Sequence, residues 1–264
     1  MNNPHDLAAE LITALRDPVP ALVDGDATRP QPTTPAPVPL GPPVRFDQAE
    51  GLDHPRASLL TTLERRTSTR VFDPGPVAAS LLADVVASGI DADRETWPDE
   101  QERCPLQTDI VAFRLDGLEP GMFRLDSGDR AYTPVAPLPD PEALHGLTLQ
   151  REFCDAAAII SIAADLDRAS RIPGAHGYRM LMGRAAAAAY TMWLDAVAAG
   201  LVGTVFAGFI PASVRQPLRS DGAARHQLFA LALGGAASLP PPPSSRSRPA
   251  TGDRREKTEG RYTA

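Results

Sequence analysis

Apolar residues recur at Leu7, Leu11, Ile12 and Leu15, a spacing that puts them on one side of a short helix before a proline-rich stretch begins. The pattern in "PRASLLTTLERR" predicts a second helix, and "PVAASLLADVVASG" a third with Gly89 as its C-cap. The polar run "DADRETWPDEQER" then reads as a connection. In "TDIVAFRLDGLEPGMFRLDSGDRAYTPV" apolar positions alternate between Gly and Pro breaks, the pattern of a β-meander. "AAAIISIAADL" is short, apolar and rich in Ile, which predicts a buried strand. "GAHGYRMLMGRAAAAAYTMWLDAVAAG" predicts the longest helix, apolar on nearly every side and therefore central. "LVGTVFAGF" and "HQLFALALGG" predict two closing strands, separated by a helical turn at "PASVRQPLR". This order specifies an α+β domain whose sheet packs against helices.

At 264 residues the chain is long enough for one sizeable core plus tails. Many of its 28 prolines lie in two segments without apolar periodicity, which divides the chain into an N-terminal helix (1–17), a proline-rich linker (18–50), a folded domain (51–237) and a disordered Pro/Ser/Arg-rich tail (238–264). The net charge of -7 argues against a nucleic-acid binder. Cys104 and Cys154 stand far apart with no CxxC or histidine cluster nearby, so neither a metal site nor a disulfide framework is expected. The start, "MNNPHDLAAELITALRD", has no basic region followed by a long apolar run, and no stretch suits a bilayer. A cytoplasmic protein without a membrane partner is expected.

The densest candidate chemistry is "ERRTSTRVF", Glu64 to Phe72, with three arginines, a serine and two threonines in nine positions. Guanidinium groups give bidentate, charge-assisted bonds to phosphate and a hydroxyl adds a donor. The residues alone fit an anion cradle or a solvated helix end. Ala185 to Ala189 would allow close approach of another helix, and is equally explained by helix propensity. Met192 and Trp193 read as core or interface filling.

Arg66, Ser68, Arg70 and Phe72 form an Arg-x-Ser-x-Arg-x-Phe phrase after a first core helix, and this resembles the nitroreductase superfamily. "DIVAFRLDGLEPGMFRLD" and "GYRMLMGRAAAAAYTMWLDAVAAGLVGTVFAGF" are similar to the SagB-type flavin dehydrogenases within it, over roughly Leu40 to Gly235. The resemblance implies a nitroreductase-like fold, with a central antiparallel or mixed sheet against helices and one long central helix. It implies FMN as cofactor, with its phosphate on Arg66, Ser68 and Arg70 and the backbone of Ala207 and Gly208 at the flavin ring. It further implies a homodimer, azoline-to-azole dehydrogenation in the biosynthesis of a ribosomally made peptide, and a modified precursor peptide and cyclodehydratase-type partner.

Departures from the SagB-type pattern point elsewhere. Asp99 and Gln101 replace the serine and glycine of a Pro-Ser-Ala-Gly loop, and Ile172-Pro173 replaces a Lys-Tyr pair. Arg184, Ala186, Ala187, Tyr190 and Thr191 stand where the central helix would carry Glu-x-Gly-His and Gln-Asn. No catalytic residue is assigned. His176, Tyr178 and Arg179 remain candidates, although helix-end packing of the Tyr-Arg pair and capping or solvent exposure of the histidine are the readings the residues favour. The alternative implied by these losses is a catalytically degenerate homologue that serves as scaffold or partner subunit of a peptide-modifying complex.

Overall fold

Strand β3 (Gln107–Ala112) sets the architecture. Along it Ile110 and Ala112 enter one apolar cluster and Val111 the other, all fully buried. A strand buried on both faces requires a covering layer on each side. The computed structural model describes residues 10, 37–47, 54–170, 176–222 and 224–237, and supplies both layers. Apart from Glu10, the expected helix over 1–17 lies outside the described residues, as do most of the linker and the tail from 238 onward.

The sheet has seven strands: β1 (Val44–Arg45), β3, β5 (Gly121–Asp126), β6 (Ala131–Ala136), β7 (Ala158–Ala164), β8 (Val202–Phe206) and β9 (His226–Gly234). Their order is β1-β6-β5-β3-β7-β9-β8, every neighbouring pair antiparallel. The expected meander is present, with β1 added at its outer edge. A separate parallel pair joins β2 (Val77–Ala78) to β4 (Leu115–Asp116). Register aligns Ile110, Ile160 and Leu231 across three strands on one face. Against them lie α2 (Ala79–Thr96) and α6 (His176–Ala198), the central helix, with α1 (Leu59–Arg65) and α5 (Leu166–Ser170) packed on α6. The opposite face is covered by chain around α4 (Pro141–Leu144), a 3-10 turn (Arg151–Asp155) and α7 (Pro211–Val214), through Leu147, Phe153, Val214 and Leu218.

Two expectations about the helical half are corrected. Helix α2 does not stop at Gly89 but runs seven residues further, to Thr96, and α3 (Pro98–Arg103) follows at once. The stretch expected to be a connection is helical because Pro98 opens α3, Asp99 and Glu100 occupy its first turn and Arg103 its last, each favourable to the helix dipole. Gly89 is instead a contact point between helices. A Cβ there would meet Met192 Cγ at 2.5 Å and the Ala188 carbonyl oxygen at 2.7 Å. Ala185, Ala188 and Ala189 are buried beside it, so the alanine run gives α2 its close approach within this chain.

Tyr132 ties the layers together: its buried hydroxyl donates to the Ala79 carbonyl at 2.8 Å, and its ring meets Phe46 and Phe123 edge-on. Burial pushes its phenol pKa up. Cys104 and Cys154 are free and buried, and burial raises both thiols, so neither has the thiolate character of a nucleophile. Among the described residues no helix is long and apolar enough to cross a membrane.

Replacing Gly89 by Ala tests the helix contact by its sign. In an exposed helix the change would stabilise by about 1 kcal/mol; here overpacking against a backbone carbonyl costs about 1–3 kcal/mol. Because the carbonyl belongs to α6 and cannot rotate away, the clash wins. Chemical denaturation of Gly89→Ala should show a lowered midpoint at unchanged slope.

Candidate active site at the edge of the sheet

Ser58 caps α1, its side chain accepting from the Thr61 N–H, and the helix ends at Arg66, which turns extended at φ -61°, ψ 107°. From there the chain runs beside β8, an outermost strand of the sheet. Ser68 forms a parallel bridge with Gly203, whose carbonyl accepts from the Thr69 N–H at 3.0 Å. Four residues on, Phe72 bridges to Ala236 and the Asp73 N–H donates to the Gly235 carbonyl. The phrase thus serves as cover for an otherwise open strand.

Its three polar side chains reach three levels of the molecule. Arg66 extends to the helix layer, with its guanidinium carbon 4.8 Å from the Trp193 ring centroid and 5.9 Å from that of Tyr190. Its Nε is buried without a hydrogen-bond partner, and the residue makes no ion pair among the described residues. Ser68, at the strand edge and exposed, accepts from the Thr204 hydroxyl at 3.1 Å, which leaves its own O–H free to donate. Arg70 lies toward the opposite layer, exposed, 3.5 Å from Glu152 and over the Phe153 ring at 5.9 Å. An exposed pair of that length contributes between zero and about 1 kcal/mol, so Arg70 is available to a stronger anion.

The end of β8 completes the rim. Phe153 stacks on Phe206 at 4.2 Å, which links the surroundings of Arg70 to the last residue of the strand. Ala207 and Gly208 follow, Ala207 exposed and Gly208 at φ +109°, a conformation in which only glycine is unstrained. Neither N–H donates to a backbone carbonyl among the described residues. Nothing lies within 4 Å of where a Gly208 Cβ would be. The five residues singled out from the sequence therefore border one sheet edge and offer guanidinium, hydroxyl and backbone N–H donors.

The segments expected to flank this edge are engaged elsewhere. Arg184, on α6 and 2 % exposed, makes a two-pronged ion pair with the buried Asp93, at 2.9 and 2.7 Å. Its remaining donors go to the carbonyls of Glu100 and Cys104 and to Gln101 Oε1, which also accepts from the Leu106 N–H. Asp99 and Gln101 thus belong to a helix drawn inward by Arg184, and not to a loop presented outward. At the start of α6 Tyr178 is half-buried and Arg179 exposed, and the side chain of His176 and residues 171–175 lie outside the described residues. A cleft of about 250 Å³ on the helix layer, lined by His54, Arg56, Asp84, Arg130 and Asp195, shares no residue with the rim. Its charges are mutually paired, Arg56 with Asp84 and Asp195, and Arg130 with Asp84.

The model of the nitroreductase family matches residues 63–235, most of the chain. The chain belongs to that family. No curated protein shows significant similarity to it. Among solved structures it is similar to a protein described as a nitroreductase from Anabaena variabilis, with TM-score 0.57 and 22% identity, over 68% of this chain and 38% of that one. It thus spans well under half the length of the Anabaena protein. A second such protein, from Ralstonia eutropha, matches with TM-score 0.53 and 20% identity over 84% of this chain and 99% of that one. The microcin synthetase complex McbBCD of E. coli, with truncated pro-MccB17 bound, includes a chain matching at TM-score 0.51 and 13% identity, over 90% and 95% respectively. At these identities the likeness is one of fold.

Within this family member the Arg184–Asp93 pair was not foreseen as a unit, since 91 residues separate the partners. The signal available was a lone arginine in an alanine-rich buried helix, which must find an acid. Arg184→Met leaves Asp93 buried without a counter-charge and should cost about 3–5 kcal/mol. Adding Asp93→Leu should recover much of that loss, because an apolar pair of similar volume replaces the ion pair at little net cost. Denaturation of the single and double variants checks both statements.

Proposed function

We propose that this nitroreductase-family chain is an FMN-dependent oxidoreductase, and that its place is the tailoring of a ribosomally made peptide by azoline-to-azole dehydrogenation. The observation that carries the cofactor assignment is the Arg66–Ser68–Arg70 run along β8, with a buried, unpartnered guanidinium nitrogen at Arg66 and, two residues on, an exposed serine hydroxyl. The donor types suit a phosphate: Arg66 and Arg70 would supply charge-assisted donors from either layer and Ser68 a neutral one at the strand edge between them. Three residues of strand, about 10 Å, separate Thr204, which is bonded to Ser68, from Ala207. At that far end the N–H groups of Ala207 and Gly208 would hold negative charge on a ring, and the bare Gly208 leaves room for it. Bound flavin supplies a two-electron hydride acceptor or donor. The McbBCD likeness supports the peptide setting only as a precedent for this fold in a peptide-modifying assembly.

A second reading is favoured by the Arg184 network. The position that would carry a polar site residue is turned into the core, α3 is held by it, and among the described residues no ion pair joins Arg179 to the rim. The carboxylate set at the rim, Glu152, stands beside Arg70 at the phosphate end; without an acceptor at the Ala207–Gly208 end, the chain would keep the phosphate grip and act as scaffold or partner subunit, as a homodimer or with a cyclodehydratase-type protein. A missing acid–base group costs about a hundredfold to ten-thousandfold in rate.

Absorption at ~450 nm in the purified protein, or on adding FMN, is the first check. Titration then tests the residues: each lost charge-assisted bond should cost about 1.5–3 kcal/mol, so Arg66→Ala with Arg70→Ala should weaken FMN binding by at least about a hundredfold at nearly unchanged stability. Equal affinities would remove the phosphate assignment. On the scaffold reading, flavin-loaded protein incubated alone with an azoline-bearing peptide should give little of the two-dalton mass loss per ring; on the oxidoreductase reading it should give ready loss. Rapid loss would overturn the scaffold reading, whereas loss only after a second subunit is added would support it.

A further inference from the structure

Four of the eight buried side-chain nitrogen and oxygen atoms without a hydrogen-bond partner, among the described residues, gather at one end of the sheet: Arg124 Nε, Ser161 Oγ, Arg225 Nε and Gln227 Nε2. Register explains the gathering. Asp109 on β3 lies opposite Arg124 on β5 and opposite Ser161 on β7, so the three share the face turned away from α2 and α6. In the next row Ala163 lies opposite both Gln107 and Gln227. Arg225 enters just before β9 and places Nη2 2.6 Å from each Asp109 oxygen, while Nη1 donates to Gln107 Oε1. Asp109 and Ser161 are fully buried and Arg225 is 5% exposed, whereas Gln107, Arg124 and Gln227 are half-buried. The group therefore has a sealed floor and a rim open to solvent.

Its charges do not balance. Both Asp109 oxygens are committed to Arg225, and Arg124 makes no ion pair among the described residues. Burial and the neighbouring Arg225 guanidinium both hold the Arg124 pKa below its usual value, with Asp109 opposing them only in part. The other acid close to Arg225, Asp221, is exposed and accepts from the Arg225 backbone N–H. Among the buried and half-buried charges alone, Asp109, Arg124 and Arg225, what is left over is one positive charge, together with a set of spare N–H and O–H donors.

We infer that this end of the sheet binds a carboxylate group, held by Arg124 and Ser161 on either side of Asp109, with Gln227 and Arg225 Nε as further donors. One negative charge and two acceptor oxygens match the surplus, whereas a phosphate dianion would over-neutralise it. The row continues from Ser161 through Ala230 to Phe206, so the site lies about two strand spacings, ~10 Å, from the end of β8. It is independent of any flavin assignment.

The test uses the full chain. Thermal unfolding in sodium acetate should show a higher midpoint than in sodium chloride of equal ionic strength, and carbon-13 acetate should broaden on adding protein. Arg124→Leu should weaken acetate binding about tenfold or more, and Ser161→Ala by a smaller factor. Arg225 is left intact because its loss would strand Asp109. Alanyl-alanine with an acetylated N-terminus, as free acid and as amide, separates the sources: an acid-only response stronger than that of acetate assigns the group to a peptide terminus, and an equal or weaker one to a small free acid. Identical midpoints in acetate and chloride, a peptide amide that binds as well as the acid, or variants that keep the full acetate response would overturn the site and leave a polar seam hydrated by water.

Discussion

Removing an arginine and an aspartate from water is costly, and the interior of this domain holds such a pair where its helices converge. Arg184 spends its donors on Asp93, two carbonyls and Gln101, and so fixes α6 against both the end of α2 and the whole of α3. The alanine-rich contact of α6 with α2 is smooth and would tolerate sliding along its length. A directional ion pair does not, and it sets the register of the central helix. Trp193, two and a half turns further along that helix, owes its position to this register, and so does the cation–π contact it gives Arg66.

Much of the architecture could be read from residue periodicity because the elements that matter bury themselves differently. β7 is apolar at every position, as a strand covered on both faces must be, and β3 and β5 are bounded by the Gly and Pro breaks that make a meander. The rim was legible because its phrase is local: Arg66, Ser68 and Arg70 lie within five residues. What escaped is non-local or depends on shape. Gly89 carries the sequence signal of a helix end, but its lack of a side chain serves the contact with Met192 and Ala188, which only the folded chain brings near. Arg225 with Asp109 and Arg184 with Asp93 are paired across 116 and 91 residues, and no spacing rule joins them.

The same family fold therefore carries two opposite electrostatic solutions. Between α2, α3 and α6 the buried Arg184 and Asp93 satisfy one another, and the remaining Arg184 donors are spent on holding helices together. At the sheet edge and on the far face, guanidinium nitrogens remain unpartnered at Arg66, Arg124 and Arg225. Natural domains rarely leave such groups bare without a use, since an unsatisfied buried donor costs about 1–3 kcal/mol. The contrast explains why the chain can look degenerate around α6 and equipped along β8.

The run from Arg66 to Asp73 has a second role that follows from where β8 sits. An outermost strand with an uncovered row of N–H and C=O groups is a template on which another chain can add by edge pairing. Here the bridge to Ser68 and the Thr69 bond occupy that row at Gly203, inside the run that carries the proposed phosphate donors. An anion that pinned Arg66 and Arg70 would thereby also keep the guard over the strand, and would couple colloidal behaviour to ligand occupancy through one short stretch of backbone.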